Sequence, residues 1–311
     1  MEGKMLYSGK DLRKLIIPLI IEQILAIAVG MADTIMVSAA GEAAVSGVSL
    51  VDTVNILLIN VFSALATGGA VVSGHFLGKK KREDACKSAW QILLFATLLA
   101  FVISVIFITA HDPLLRLMFG KIEDDVMKAS KTYLIITTYS FVALAIYNSC
   151  AALFRAMNES KVTMWVSLLM NVINVVGNAI CIYGLHMGVA GVAIPTTISR
   201  YVAAVVIFLL MFQTKKEINL CGQITWKFNG SLIKKILYIA IPNGLENSMF
   251  QLGKILVMSA VATMGTSAIA ANAVTGTIAN WNNLPGFAIN LAIVSVVSVC
   301  VGAGKYDLSL I

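Results

Sequence analysis

The sequence predicts an all-α polytopic membrane protein, a six-helix N-terminal lobe followed by the first two helices of a parallel-repeat C-terminal lobe. Three observations carry that expectation. The chain is 59% hydrophobic and 13% charged, with a mean hydropathy of +0.87; a soluble domain averages about 45–50% apolar and 25% charged residues. Apolar runs long enough to cross a bilayer, which takes roughly 20 residues, recur along the whole chain. Finally, Ile17-Pro18 returns as Ile241-Pro242, an offset of 224 (241 less 17) that also superimposes Glu22 on Glu246, Gly41 on Gly265, Ala44 on Ala268, Gly78 on Gly302 and Lys81 on Lys305 without a gap.

Reading apolar runs between charged or glycine-containing gaps gives spans at 15–38, 46–77, 89–109, 132–154, 162–183, 189–212, 236–261 and 268–301. Ser8 or Asp11 caps an amphipathic start to the first span, which is too long and too acidic for a signal peptide. That span carries Glu22 and Asp33, 11 positions apart (33 less 22) and therefore within about 20° on one face and about 16 Å along the axis. Acids at membrane depth face a cavity or a partner rather than lipid. The second span adds Ser49, Asp52 and Asn55, and its glycines, Gly68-Gly69 and Gly74xxxGly78, read as close helix packing. In the fifth span Asn171, Asn174 and Asn178 share one helical face. Two readings of that stripe stand, interhelical glue or oxygen ligands that join Asp33 in binding a small cation or proton. Thr196 and Thr197 of the sixth span extend the polar interior. Pro18 and Pro242 are read as helix-start prolines, and Pro285 as a kink in the eighth span.

Lys and Arg gather on one side of this succession, around residues 4–14, 79–87, 155–161 and 215–235 and at 305. The other side has Arg116, Lys121, Lys128 and Lys131 in a single loop with Asp112, Glu123, Asp124 and Asp125. The positive-inside rule then puts both termini in the cytoplasm of a multi-pass protein of the cell membrane. Six spans separate the two copies of the repeat, an even number, so the copies share one orientation. The expected division is residues 1–213 as the six-helix lobe, 214–235 as a cytoplasmic linker and 236–311 as the opening of an incomplete second lobe. A complete second copy would run to roughly residue 464. Without it, Asn272, Asn280, Asn282 and Asn283 lack helix partners, and 236–301 is expected to be a loosely attached pair.

Several functions are disfavoured. The basic residues lie in short gaps between apolar runs rather than on one folded face, against nucleic-acid binding. The five cysteines are scattered without a CxxC and the three histidines are isolated, so no disulfide framework or metal site is indicated. No GxxxxGK[ST] motif occurs, against an ATP-driven pump. Arg200 and Lys254 are cations within spans and carry no assigned role.

The stretch from Asp33 to Gly78 (ADTIMVSAAGEAAVSGVSL, then ATGGAVVSGHFLGKKKRED), FRAMNESKVTM, the Asn174-x3-Asn178 pair with its following IYG, GVAGVAIPTTISR and the second IPNGLENSMFQLGK together resemble the multidrug and toxic compound extrusion (MATE) family over the whole chain. The resemblance implies twelve helices in two lobes and a monomeric secondary antiporter, not an enzyme. It would export organic cations and amphipathic drugs in exchange for Na⁺ or H⁺, with no other cofactor. By the same resemblance Asp33, Asn174 and Asn178 form the ion-coupling site; from their own polarity Asn171, where some relatives differ, and Thr197 are expected beside it, and Glu22, Asp52, Asn55 and Glu246 along the substrate cavity. His75 departs from the family pattern where a Gln-like residue is expected. The alternatives are a lipid-linked oligosaccharide flippase of the same superfamily, which wants a basic central cavity, and a membrane prenyltransferase, which wants paired aspartates for Mg²⁺ and diphosphate.

The charge count makes one direct prediction. Single cysteines at Gly41 or Met187 should react with an impermeant thiol reagent from outside, and those at Lys80, Asn158 or Gln223 only from the cytoplasm; reversed labelling at two sites would sink the eight-span topology.

Overall fold

The computed structural model describes residues 8–119, 123–262 and 266–305, with side chains between 252 and 280 described at Gly253, Val257, Thr275 and Ala279. The calls on Lys4, Lys121 and Gly265, and on the side chains of Lys254, Ala268, Asn272 and Asn280, lie outside these described residues. Ten α-helices make up the described chain: α1 (Gly9–Ser38), α2 (Glu42–Gly78), α3 (Arg82–Thr109), α4 (His111–Phe119), α5 (Asp124–Thr138), α6 (Phe141–Ala156), α7 (Ser160–Ala179), α8 (Ala190–Leu210), α9 (Gly230–Ala262) and α10 (Thr266–Gly302). Six of the helices are long and apolar enough to cross a membrane, and α5 with α6 makes a bent seventh. The remaining expected span, the seventh, is α9, whose length suffices but whose apolar run is diluted by Asn243, Glu246, Asn247, Ser248 and Gln251. The protein is a multi-pass membrane protein.

Sequence chemistry explains the departures from straight, evenly bounded spans. Ser8 and Asp11 both cap α1: the Asp11 amide donates to Ser8 Oγ and the Ser8 amide to Asp11 Oδ2 at 3.0 Å, a reciprocal capping box. Because α1 begins at Gly9 and α9 at Gly230, Pro18 and Pro242 are interior prolines rather than helix-start ones, each removing the bond to the carbonyl four residues back. The expected fourth span is bent by 51° between α5 and α6. There the hydroxyls of Thr137, Thr138 and Ser140 donate to the carbonyls of Tyr133 (2.8 Å), Leu134 (2.7 Å) and Thr137 (2.6 Å), competing with the helical ladder. Carbonyls freed at the bend are taken up from neighbours, Thr138 by Ser104 Oγ at 3.3 Å and Tyr139 by Tyr201 Oη at 2.8 Å. Helix α4 forms within the stretch expected to be a single loop. Its Asp112 accepts from Lys131 of α5 at 3.1 Å, and this hydrogen bond holds the Asp112 carboxyl below the usual range.

Packing centres on α2, which touches α3, α5, α6, α9 and α10. Its glycines admit bare backbone. A Cβ on Gly68 would stand 2.6 Å from the Ile236 carbonyl oxygen of α9, and one on Gly78 would run into the Val299 carbonyl and the Ala303 amide of α10. A Cβ on Gly302 would strike His75 in turn. Gly78 and Gly302 are equivalent positions of the repeat, so α2 and α10 cross at a point of internal two-fold symmetry. The same symmetry relates Leu15 and Leu19 of α1, buried against Ala288 and Ala292 of α10, to the packing of α9 on Ala64 and Gly68 of α2. The attachment of α9 and α10 is therefore close where their side chains are described, unlike the loose pair expected.

The linker also differs from expectation. It leaves helical structure only as far as Asn229 rather than 235, and it lies against the basic end of the bundle. Arg82 donates to the carbonyls of Thr214 and Glu217 at 2.9 Å and of Lys216 at 2.6 Å, Trp90 to Thr225 at 2.7 Å, and Lys216 pairs with Glu159. Ile218 and Leu220 of the linker are fully buried in the main core with Phe141, Phe154 and Ile207.

A second brace ties α1 to α6 and α7. Glu22 accepts from Thr163 Oγ1 at 2.9 Å and pairs with Arg155 at 3.5 Å, with side-chain exposures of only 11% and 13%.

Two stability predictions follow from these contacts. Gly78→Ala should destabilise by about 1–3 kcal/mol through overpacking, whereas Gly286→Ala, whose Cβ meets nothing within 4 Å, should be neutral or raise stability by about 0.5–1 kcal/mol. Equal behaviour of the two in detergent thermal unfolding would refute the close crossing. Removing either partner of the Glu22–Arg155 pair should cost about 3–5 kcal/mol, and removing both less than the sum; strictly additive losses in a double-mutant cycle would show the pair to be uncoupled.

Candidate ion and substrate site

The polar face of α1 meets α7. Glu22 reaches Thr163 near the start of α7, and Asp33 reaches Asn178 at its end, so the shared face read from their spacing is the face α7 covers. Asn178 Nδ2 donates to Asp33 Oδ1 at 2.7 Å and to Asn174 Oδ1 at 3.3 Å, and Asn174 Nδ2 donates to Thr196 Oγ1 of α8 at 2.9 Å. Thr196 in turn donates to the Val192 carbonyl at 2.8 Å. Asn178 is fully buried, yet its Oδ1 has no hydrogen-bond partner among the described residues. Directly after it the helix widens into a π-turn, Ile180–Gly184, a feature frequent at functional sites.

Asp33 also lines a cavity of about 100 Å³ with Ser49, Asp52 and Tyr133, room for a few waters or an ion. Asp52 accepts from Tyr133 Oη at 3.1 Å and from Asn55 Nδ2 at 3.3 Å. Arg200 stands within electrostatic reach of Asp33, Asp52 and Tyr133 while its Nη1 donates to Ser140 Oγ at 2.8 Å. The bend between α5 and α6 places Ser140 for that bond and leaves Tyr133 facing α2.

Asp33, Asn174 and Asn178 thus come together as expected, and four placements differ. Thr197 turns away to donate to the Ile136 carbonyl at 3.0 Å, because the adjacent Thr196 occupies the face toward α7. Asn171 is buried on the stripe, but its Nδ2 has no hydrogen-bond partner among the described residues. Asp52 and Asn55 belong beside Asp33 rather than to a separate cavity. Glu22 is held in the brace with Arg155 and Thr163, because a buried carboxylate needs a cation and donors more than it needs space.

Glu246 lies elsewhere, on a polar cavity of about 250 Å³ between α2, α6, α9 and α10 that also takes in Asn60, Asn243, Asn290 and Arg155. Tyr133, Arg155 and Arg200 were missed as site residues. The signal was present for the two arginines: two or three carboxylates inside spans demand cations at similar depth. Tyr133 gave no such signal, since its role depends on the bend.

A family model named MatE matches residues 18–180, more than half of the chain. The chain is 28% identical over 295 residues to the uncharacterized transporter YisQ of Bacillus subtilis, covering 93% of this chain and 64% of that one. It is 25% identical over 302 residues to the probable multidrug resistance protein NorM of Thermotoga maritima, covering 96% and 64%. The chain therefore spans under two thirds of the length of these relatives. Among solved structures, an outward-facing multidrug resistance MATE family transporter of the MOP superfamily superimposes with a TM-score of 0.89 at 22% identity, over 97% of this chain and 66% of that one. With the all-helical fold, its internal repeat and the match across α1 to α7, the chain belongs to the MatE family, that of the multidrug and toxic compound extrusion transporters.

Proposed function

We propose that this chain is part of a secondary antiporter that exports organic cations and amphipathic drugs in exchange for Na⁺ or H⁺ from the cytoplasmic membrane, with both described ends of the bundle's chain on the cytoplasmic side. Residues 1–213 are the first lobe, 214–235 the region joining the lobes, and 236–311 the opening of the second. The observation that carries the reading is the buried, acceptor-rich cluster of Asp33, Asn174 and Asn178 with an unpartnered Asn178 Oδ1.

The donor set fits a hard monovalent cation. It offers a carboxylate and two amide oxygens and no soft ligand, and oxygen-only sites suit such ions. Asp33 supplies the charge that a proton or Na⁺ neutralises. Asn174 and Asn178 supply orientation, held in turn by Thr196. The tyrosine and asparagine donors on Asp52 keep the second carboxylate hydrogen-bonded beside the first. Substrate is placed in the separate cavity of Glu246 and Arg155, whose mixed charge and amide lining suit an amphipathic cation. The flippase alternative wants unpaired cations in the central cavity; Arg200 is bonded to Ser140 within electrostatic reach of Asp33 and Asp52, and Arg155 is paired with Glu22, so neither favours it.

Transport and binding test the assignment separately. In the complete transporter in proteoliposomes, Asp33→Asn should abolish efflux driven by either a Na⁺ or a H⁺ gradient applied alone. In the 311-residue chain, the coupling ion should raise the melting temperature in proportion to the logarithm of its concentration, and Asp33→Asn should remove that rise while leaving the melting in its absence intact. Retained coupled efflux in the variant would move the site away from Asp33.

A further inference from the structure

A groove of about 640 Å³ opens between the last two turns of α2 and the first turns of α9, at the basic end of the bundle. Lys79, Lys234 and Lys235 line it, with Ser231 at the start of α9. Its deeper wall is apolar, formed by Val72, Phe76 and Ile239. None of the three lysines pairs with a carboxylate among the described residues. Lys235 Nζ stands 5.9 Å from the centre of the Phe76 ring, and Tyr238, one turn further along α9, is 82% exposed, the placement of an interfacial aromatic residue.

We propose that this groove binds the headgroup of an anionic phospholipid, with the phosphate among the lysines and the upper acyl chain along Val72, Phe76 and Ile239. Charge and layering both fit. Three uncompensated cations and a helix N-terminus gather at one level, and hydrocarbon-compatible side chains lie about one turn deeper, as headgroup and acyl chain are arranged in a leaflet. Basic pockets between membrane helices recognise anionic headgroups in this way.

The repeat argues that the groove is neither an accident of the fold nor a surface awaiting more helices. The equivalent positions on the other side of the internal two-fold carry Ala303 for Lys79, Cys300 for Phe76 and Asp11 for Lys235. Asp11 there is taken up by the Ser8 cap. The positive cluster therefore exists on one side only. In the first copy, whose six spans are all present, Lys10 and Lys14, the counterparts of Lys234 and Tyr238, remain exposed, so this level of the helix is not one that the rest of a lobe covers.

Native mass spectrometry of the purified 311-residue chain, titrated with phosphatidylglycerol or phosphatidylcholine, tests the site. The chain should retain phosphatidylglycerol in preference, and Lys79→Gln/Lys234→Gln/Lys235→Gln should lower that preference by roughly fivefold per lysine removed. The arginine version of the same triple variant should keep it, which separates charge from folding. Lys14→Gln/Lys161→Gln/Lys215→Gln, at the same end but outside the groove, should also keep it. An undiminished preference in the groove glutamine variant, or an equal loss in the outside variant, overturns the site. Displacement of the lipid by millimolar inorganic phosphate would overturn it in favour of a free-phosphate pocket.

Discussion

Two carboxylates on one face of α1 constrain the rest of the first lobe. Hydrocarbon cannot solvate them, so α1 has to be covered along that face by a helix able to donate hydrogen bonds at two depths. Helix α7 is that partner: Thr163 meets Glu22 and Asn178 meets Asp33. With α7 fixed, α8 packs behind it through Thr196 and through Pro195, which would lie 2.7 Å from a Cβ on Gly177. Arg155 of α6 then pairs with Glu22 at one end of that face, while Arg200 of α8, bonded to Ser140, lies within electrostatic reach of Asp33 at the other.

The repeat supplies the second constraint. Because α2 and α10 are equivalent helices crossing at equivalent glycines, their backbones approach until a methyl group would not fit, and the two copies are joined along their most closely packed seam. Yet the copies are chemically unlike. The counterpart of Asp33 is Val257, which is 60% exposed, and no acid of α9 occupies that depth. Symmetry builds the frame, and the departures from symmetry put the acidic cluster of Asp33 and the basic groove on particular sides of it.

Much of this was legible in the residues. The spans, the repeat and the shared face of Glu22 and Asp33 follow from periodicity, because helical phase is fixed by residue count, whereas the approach of Asp33 to Asn174 and Asn178 was open on the residues alone and came with the family resemblance. What stayed hidden depended on irregular backbone. The bend at Tyr139–Ser140, where three hydroxyls compete with the ladder, follows Tyr133, which meets Asp52, and holds Ser140, which meets Arg200. Thr196 and Thr197 are adjacent and about 100° apart, so sequence proximity could not say which of them faces α7. Arg155 sits at the end of α6 among residues that look like a basic loop, and only the fold, which brings it within 3.5 Å of Glu22, reveals it as the cation for that acid.

The two acidic sites of α1 also differ in a way that separates their roles. Around Glu22 the neighbours are donors, a guanidinium and a hydroxyl, and the pair is nearly dry at 11% and 13% exposure. A cation entering there would have to displace Arg155, and the buried carboxylate gains nothing from the exchange. Around Asp33 the balance is reversed. One amide donates to it at 2.7 Å, while Asn174 Oδ1 and the unpartnered Asn178 Oδ1 add acceptors beside a cavity that a second carboxylate shares. Surplus acceptors in a buried site are stabilised by a proton or a cation, and surplus donors are not. Of two acids on one helical face, the first is therefore a brace, and the second is the one left with acceptors to spare.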